Sequence, residues 1–598
     1  MRFRRFLKIG AAGFICDAGL TLLLSQSGMQ ASLARGIALS LALLLTFIFN
    51  RYWTFCDRKA ALLVSAVLYF TSQFFGALLN FLVYQLSLQS FPSLPVVSAI
   101  ALGSAVSLIA NYFLADRFAF SSSHWPRQFL AESCLIGFGA ACCLWPVFYN
   151  GDAFIFFDSA HYIGLGKSIA ARATALFSQA PVGAAVDLSV PQAALTYAGG
   201  RSVFYALPVF WLESHLGFMS VPVAQSFLAA LTMRLAASSL SVRPIGFYLV
   251  GIIVCACLSP LAFYAGMMMP DVFAGIGILA FISLFLNHGQ LGFWSKLCLC
   301  LILAFSAATH SSTLALCILL FSLLLGFSAW RDRERVGSLC RSIGLSLVVA
   351  VLALQAFDWV VRWKTGDAPR NPPYLAARLL ADGPGHDFLA RHCSTQVRFA
   401  LCDYRDRQFV TQDDFLWSGD PNVGVFSIVD VDIRKAIKAE ELVFALAVSA
   451  DQPLQVLGHA VDHGVRQLFR FGVSAEFSQQ RNSWDKMGFE ALAPREARRF
   501  KAGLIYRDLW SLDGMDSIID LTAGLALVMT LWGAYTLRGL ARGSCLLVFA
   551  ALALNAFICG AISGVNDRYQ ARVIWILPMM AIFVAEQRFS GRFSNRKN

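Results

Sequence analysis

Long apolar runs alternate with short polar breaks along almost the whole chain. Four come first, at 7–27, 33–50, 61–86 and 94–115. About ten more follow, at 129–148, 219–240, 244–264, 272–288, 293–309, 311–328, 343–362, 518–537, 545–563 and 571–587. About 20 apolar residues in a helix cross the hydrocarbon core, and a helix satisfies its own backbone there. The pattern predicts an all-α polytopic membrane protein with about 14 transmembrane helices. The stretch 363–517 breaks it: richer in charge, it carries turn chemistry in "DDFLWSGDPN" and helix-like runs near 433–448 and 453–472. It is expected to form one large outer (periplasmic) loop domain of mixed structure. "RSVFYALPVFWL" is apolar but short and proline-broken, so it is read as lying in the interface; as a span it inverts every later basic loop.

Composition sharpens this. Of 598 residues, 57% are hydrophobic and 14% charged, against about 25% charged in a soluble domain. The net charge of +12 gathers in short connections: Arg51, Arg58 and Lys59; Arg117 and Arg127; Arg331, Arg333, Arg335 and Arg341; Arg538 and Arg542; and the tail "EQRFSGRFSNRKN". Basic residues of short loops stay inside, which predicts cytoplasmic N- and C-termini in a bacterial inner membrane and speaks against a nucleic-acid partner. No cleavable signal peptide is expected after "MRFRRFLK". The topology leaves 149–218, the "MMMPD" turn ending at Asp271, the turn at His310, 363–517 and 563–572 outside. Of fifteen cysteines, Cys393 and Cys402 lie in an outer segment; in an oxidising compartment their spacing predicts a disulfide closing a small loop, with two free thiols as the alternative.

Candidate chemistry concentrates in those outer segments. "YNGDAFIFFDSAHYIGLGKSIA" holds Asp152 and Asp158, six residues apart. Asp158 precedes a stretch in which Tyr162, Leu165, Ile169 and Leu176 share one helical face and His161, Ser168 and Arg172 lie towards the other. It suits an N-cap as well as a site, and Asp152 suits a turn after "YNG". Asp271 caps a helix after Pro270 or serves a metal, acceptor or phosphate site. His310 opens the turn "THSST", where a hydrogen-bonded structural role competes with substrate contact. In "GHAVDHG", His459 and His463 are four apart on a helix expected from Pro453, yet no third ligand or catalytic Glu follows the zinc-protease pattern. No metal is assigned and no cofactor is certain, a divalent cation (Mg or Mn) staying open. The absence of a glycine-rich phosphate loop argues against a nucleotide-sugar donor.

The inner ends of the second and fourth runs echo each other, "FNRYWTF" at 49–55 and "ANYFLADRFAF" at 110–120, which suggests a duplicated two-helix unit. Residues 1–125 resemble the GtrA-like family through "FLKIGAAGFICDAGLTLLL", with Asp17 inside the first span, and through Asn50, Arg51, Trp53 and Phe55. The second copy departs by inserting "YFLA" between Asn111 and Asp116–Arg117. The resemblance implies a four-helix membrane domain that moves polyprenyl-phosphate-linked sugars or assists that pathway. A carboxylate at the depth of Asp17 should face the bundle interior, for function or for helix packing.

From 129 onward the chain resembles the GT-C class of membrane glycosyltransferases, through "FFDSAHYIGLGKSIA", "MMMPDVFAG" and "NDRYQARVIWILP". This implies a membrane core over 126–362 with its catalytic loop at 149–218, the outer region 363–517, and C-terminal spans with a basic tail at 518–598. It also implies an inverting transferase taking a sugar from a polyprenyl-phosphate donor to an outer-face envelope glycan or glycolipid. Asp158 then serves as the base, better for a raised pKa, with Asp152 and Asp271 as further catalytic candidates. Arg568, Arg572, Lys167 and Arg201 are the cations for the leaving phosphate, the first two doubling as interface anchors. The rival readings are a flippase or transporter without chemistry and a non-catalytic envelope-assembly partner. The sequence fixes neither sugar, acceptor nor oligomeric state.

Overall fold

In a computed structural model the described residues are 2–26, 41–57, 65–66, 69–70, 72–73, 76, 83, 96–120, 124–177, 201–241, 243–286, 291–331, 336–337, 339–365, 371–393 and 398–594. Among them the protein is all-α; its one β feature is the isolated bridge Phe154–Met267. Among the described residues five helices are long and apolar enough to cross a membrane: Ser220–Leu240, Cys340–Trp363, Asp513–Thr536, Gly539–Ile562 and Arg568–Arg588. Six shorter apolar helices accompany them, such as Val272–Leu286 and Phe293–Thr309. The expected 14 includes runs, 33–50 and 61–86, that lie partly outside the described residues. The chain divides into two compact units, Met1–Phe138 and Gly139–Asn598.

In the first unit, α1 (Arg2–Gln26) and α2 (Val96–Leu114) are the long helices. Both echo sequences end in a π-helical turn, Asn50–Thr54 and Ala115–Ala119. Each turn is closed by a phenylalanine: Phe55 N donates to Asn50 O at 2.8 Å and Phe120 N to Ala115 O at 3.0 Å. The two buried rings stack at 4.7 Å, within a core that includes Phe6, Phe47 and Tyr69. The repeat is thus matched on its closing phenylalanines rather than on its asparagines, Asn111 standing about one helical turn before the place Asn50 takes.

In the second unit, α3 (Phe157–Phe177) begins with Asp158 in its first turn, where the helix dipole favours a carboxylate. It packs on α4 (Val203–Leu216), capped by Ser202, whose hydroxyl accepts from Phe204 N at 3.2 Å. Gly166 permits that packing: a Cβ there would stand 2.5 Å from Ala206 O. At 1.5 Å per residue, α4's 14 residues reach about 21 Å, short of the ~30 Å core. The proline-broken run is a helix too short to span.

Two loops are then zipped together. Phe154 N donates to Gly266 O at 3.0 Å and Met268 N to Phe154 O at 2.8 Å, while the Ser159 hydroxyl donates to Met268 O at 2.9 Å. This brings the start of α3 to the turn before α5 (Val272–Leu286), a helix buried along nearly its whole length.

The stretch 363–517, expected to be mixed, is helix and turn with no strand among its described residues. Its short apolar clusters follow helical rather than alternating spacing: α6 (Tyr374–Ala381) buries Ala376, Ala377, Leu379 and Leu380 on one face, as a 3.6-residue period directs. These join Phe388, Phe415, Phe426 and Phe444 in a core of their own, the last on α7 (Val431–Asp451). Cys393 and Cys402 are bonded, their Cα atoms 5.5 Å apart. Next, α8 (Pro453–Leu468) lies against α9 (Gly539–Ile562), and the turn after α9 leads into α10 (Arg568–Ile574).

Candidate functional site

Three elements far apart in sequence converge on the first turn of α3. Arg201, just before α4, ion-pairs with Asp158 through Oδ1. From α10, Arg568 reaches both aspartates, Nε to Asp271 Oδ1 at 3.3 Å and a terminal nitrogen to Asp158 Oδ2 at 3.9 Å. One turn further, Arg572 donates to Asp271 Oδ1 at 3.3 Å and to the Ser312 hydroxyl at 2.8 Å. Three guanidiniums thus face two carboxylates. Close backbone packing sets the geometry: a Cβ on Gly275 of α5 would stand 2.7 Å from Arg572 O, so only glycine lets α5 and α10 meet here.

Exposure differs across the cluster. Asp271 and Arg572 are fully buried, whereas the Asp158 side chain keeps 20% exposure and Arg201 18%. The cluster therefore opens on its Asp158 side. Asp271 Oδ2 has no hydrogen-bond partner, which leaves a buried acceptor at the back. The Arg568 guanidinium also lies 4.6 Å from the centre of the Phe156 ring, a cation–π contact that steadies its position.

Burial alone would raise the Asp158 carboxyl, as expected from the sequence, but Arg201 and then Arg568 outweigh it. The net effect is a pKa below the ordinary aspartate value, a reversal caused by guanidiniums that come from 43 and 410 residues away. At the rim of the cluster, burial and then Arg572 push His310 down to about 3. It is therefore neutral, and its Nδ1 lies 2.9 Å from the Ser312 hydroxyl that Arg572 also contacts. Tyr162, on the same helical face as Asp158, is buried edge-on against Tyr205 at 4.9 Å, and burial raises its hydroxyl.

The region 371–517 supplies neighbours that the sequence did not announce. Tyr374 hydrogen-bonds Arg201, and buried Glu476, raised by burial and lowered in turn by Arg568, bonds Asn566. Gln480 clamps the loop beneath Asp158: Ile155 N donates to its Oε1 at 2.8 Å, and its Nε2 donates to Ile155 O at 3.0 Å. Neither Tyr374 nor Gln480 sits in any local pattern; Ser312 was within reach in "THSST".

Other sequence candidates lie elsewhere. Asp152 is fully buried but takes a different set of partners: Ala153 N at 2.7 Å and Arg499 at 3.7 Å, beside Asn150, whose Oδ1 accepts from Ile505 N at 3.0 Å. Lys167 is exposed on α3, nine residues and about 13 Å of helix beyond Asp158, where it acts on Glu213. His161 is exposed as well, but it borders the cluster and acts on Asp158. A third ligand does approach the histidine pair, for Asp382, His459 and His463 bring ligand atoms within 4.8 Å of one another. Arg378, however, donates to Asp382 at 3.0 Å and contacts His463 Nε2, so a guanidinium already supplies the positive charge there.

In the first unit, Asn50 is buried and its Nδ2 donates to the Tyr69 hydroxyl at 3.1 Å, while Arg51 donates to Ser65 at 3.2 Å. A cleft of about 380 Å³ is lined by Lys8, Gly13, Cys16, Thr46, Phe49 and Trp53 among others. The twinned π turns, the Asn50–Tyr69 bond and this cleft form one small helical block. Residues 5–120 match the family described as GtrA/DPMS, transmembrane domain. The GtrA/DPMS region thus covers the block that carries Asn50 and Arg51; Asp17 lies on α1, and its side chain lies outside the described residues. No curated protein and no solved structure matches the chain significantly.

Proposed function

We propose that the protein is an inverting membrane glycosyltransferase of the GT-C kind, moving a sugar from a polyprenyl-phosphate donor to an outer-face envelope glycan or glycolipid. The single observation that carries this reading is the partly open cluster in which Asp158 and Asp271 meet Arg201, Arg568 and Arg572. In it, the acceptor hydroxyl gives its proton to Asp158 as its oxygen bonds to the anomeric carbon. The bond from that carbon to the phosphate oxygen breaks, and polyprenyl phosphate departs with the electron pair. The arginines stabilise the charge that develops on the leaving phosphate.

Electrostatics link the two roles. Without donor, Arg201 and Arg568 hold Asp158 ionised and weakly basic. A donor phosphate competes for the same guanidiniums, and as they turn towards it the carboxylate loses their pull and becomes the stronger base. Asp271 keeps Arg568 and Arg572 in place behind the open side of the cluster. The GtrA/DPMS region presents or flips the donor, and its tether to the transferase raises local concentration without new contacts. In this reading the protein sits in a bacterial inner membrane with both termini cytoplasmic and some 14 spans.

A second reading rests on the same ion pairs: a carboxylate fully engaged by arginine suits a static brace in a flippase or an assembly partner. Purified protein in liposomes, given short-chain polyprenyl-phosphate sugars and envelope glycolipids, separates the two by mass spectrometry. Wild type should transfer sugar and Asp158→Asn should not while staying folded. Undiminished transfer by the variant removes Asp158 as the base. No transfer by either protein, with labelled lipid moving between leaflets, replaces the enzyme by the flippase.

A further inference from the structure

The helix α8 carries three faces rather than two. At 100° per residue, His463, Gly464 and Gln467 turn towards the protein. Gly464 meets Phe557 of α9 so closely that a Cβ would stand 2.5 Å from that ring, and Gly560 of α9 meets His463 O at 2.6 Å in the same sense. Paired small residues of this kind let helix backbones touch within membranes. A second arc, with Gln455, Asp462 and Arg466, is polar and exposed. The third arc, about 120° wide, holds Leu454, Leu457, Val461 and Val465, continued by Phe469; they are 83, 61, 45, 44 and 71% exposed.

Five large apolar side chains on one exposed arc are costly in water, at about 25 cal/mol per Å². Their neighbour decides what covers them: α9 is an apolar helix long enough to span, and its own Phe557 and Ile562 are 37 and 42% exposed. The apolar surface of α8 thus continues that of a membrane helix. On the neighbouring α7, Leu442, Val443 and Leu446 are also more than 60% exposed.

We infer that the third arc of α8 is covered by lipid acyl chains, its second facing water and its first fixed along α9. A helix with these three faces anchors its segment to the membrane. The stretch 363–517 is then not wholly water-borne. The anchor also bears on the charge cluster, because Gln467 Nε2 donates to Asn566 O at 2.7 Å and Asn566 N donates to Gln467 Oε1 at 2.8 Å, in the turn that leads to Arg568. This placement holds whether or not the protein transfers sugar.

The test uses the full chain in lipid nanodiscs with a photo-crosslinking residue, Leu457→p-benzoylphenylalanine or Val465→p-benzoylphenylalanine. Two controls are Gln455→p-benzoylphenylalanine on the polar arc and Val410→p-benzoylphenylalanine, at a loop position 88% exposed. All four positions are on the surface, so folding is preserved. Irradiation followed by peptide mass spectrometry should give lipid adducts at 457 and 465 at least tenfold above those at 455 and 410. Equal yields at all four positions overturn the placement. Adducts from 457 and 465 to a second copy of the chain also overturn it, and make the arc a dimer interface.

Discussion

Asp152 and Asp158 share one loop, yet the fold gives them opposite surroundings. Asp152 is fully buried against Arg499, whose side chain is 55% exposed and 3.7 Å away. Burial pushes its carboxyl up to about 6, against the pull of the Ala153 N–H and of Arg499. Asp158 is more open, but Arg201 and Arg568 face it from within the protein and draw its pKa down. The distance of the nearest cation and its shielding from water decide the sign, since a guanidinium in solvent is screened and a buried one is not. Asp152 behaves as part of a loop anchor, with Asn150 and the 499–505 turn, and Asp158 as part of a charged site.

Removing the acid that holds the arginines together should have the largest effect. Asp271→Ala leaves Arg568 and Arg572 buried and facing each other without their shared partner. Breaking a buried pair in this way costs about 3–5 kcal/mol. Thermal unfolding in detergent should show that loss in full; a fall under about 1 kcal/mol would mean the cluster is hydrated and the contrast with Asp152 overstated. Next comes Arg568→Gln, which removes the one cation that touches both aspartates. Loss of a single donor to a developing oxyanion costs roughly 10²–10³ in turnover. Sugar transfer in the reconstituted assay should fall by that factor, with kcat moving more than KM.

A smaller effect sharpens the comparison by its sign. Asp152 has a folded pKa of about 6 against an ordinary 3.8, so the folded state holds its proton more tightly. Its stabilising contribution is fully present below about 3.8 and is lost as pH rises through about 6. Asp152→Asn cannot ionise, so it should match wild type near pH 3.8 and exceed it above pH 6, by up to about 3 kcal/mol for a two-unit shift. Unfolding curves across that range give the check. A variant less stable than wild type at pH 7 would place Asp152 in a stabilising ion pair with Arg499 instead.

The readable part of this protein was local. Apolar run length gave an all-α membrane protein, and the echo around Asn50 and Arg51 showed a repeat that the twinned π turns and the Phe55–Phe120 stack make concrete. The proline inside α4 was also legible, because breaks act within a few residues; Asp158, expected as an N-cap, stands instead one residue inside the helix that begins at Phe157. What depends on long-range convergence was not. Arg201 and Arg568 could be named as outer cations, but their ion pairing with Asp158 needs the zipping of 154 to 267 and the Gly275 contact. The direction of the Asp158 shift followed from those and was therefore misjudged. Tyr374 and Gln480 act across 173 and 325 residues respectively, with nothing in their own neighbourhoods to mark them.

Lys167 supplies the weakest prediction and the cleanest control. By residue type and loop it belonged with Arg201 as a phosphate cation, yet α3 carries it about 13 Å past Asp158 and leaves it exposed near Glu213. An exposed lysine at that range lies beyond a Debye length of about 8 Å at physiological salt, so its field at the cluster is largely screened. Lys167→Ala should therefore change sugar transfer by less than about threefold, within the 1 kcal/mol typical of surface charges, and the residual effect should vanish as salt is raised. A drop comparable to that of Arg568→Gln would show the donor phosphate lying along α3 rather than between Asp158 and α10, and the site would have to be redrawn around the exposed face of that helix.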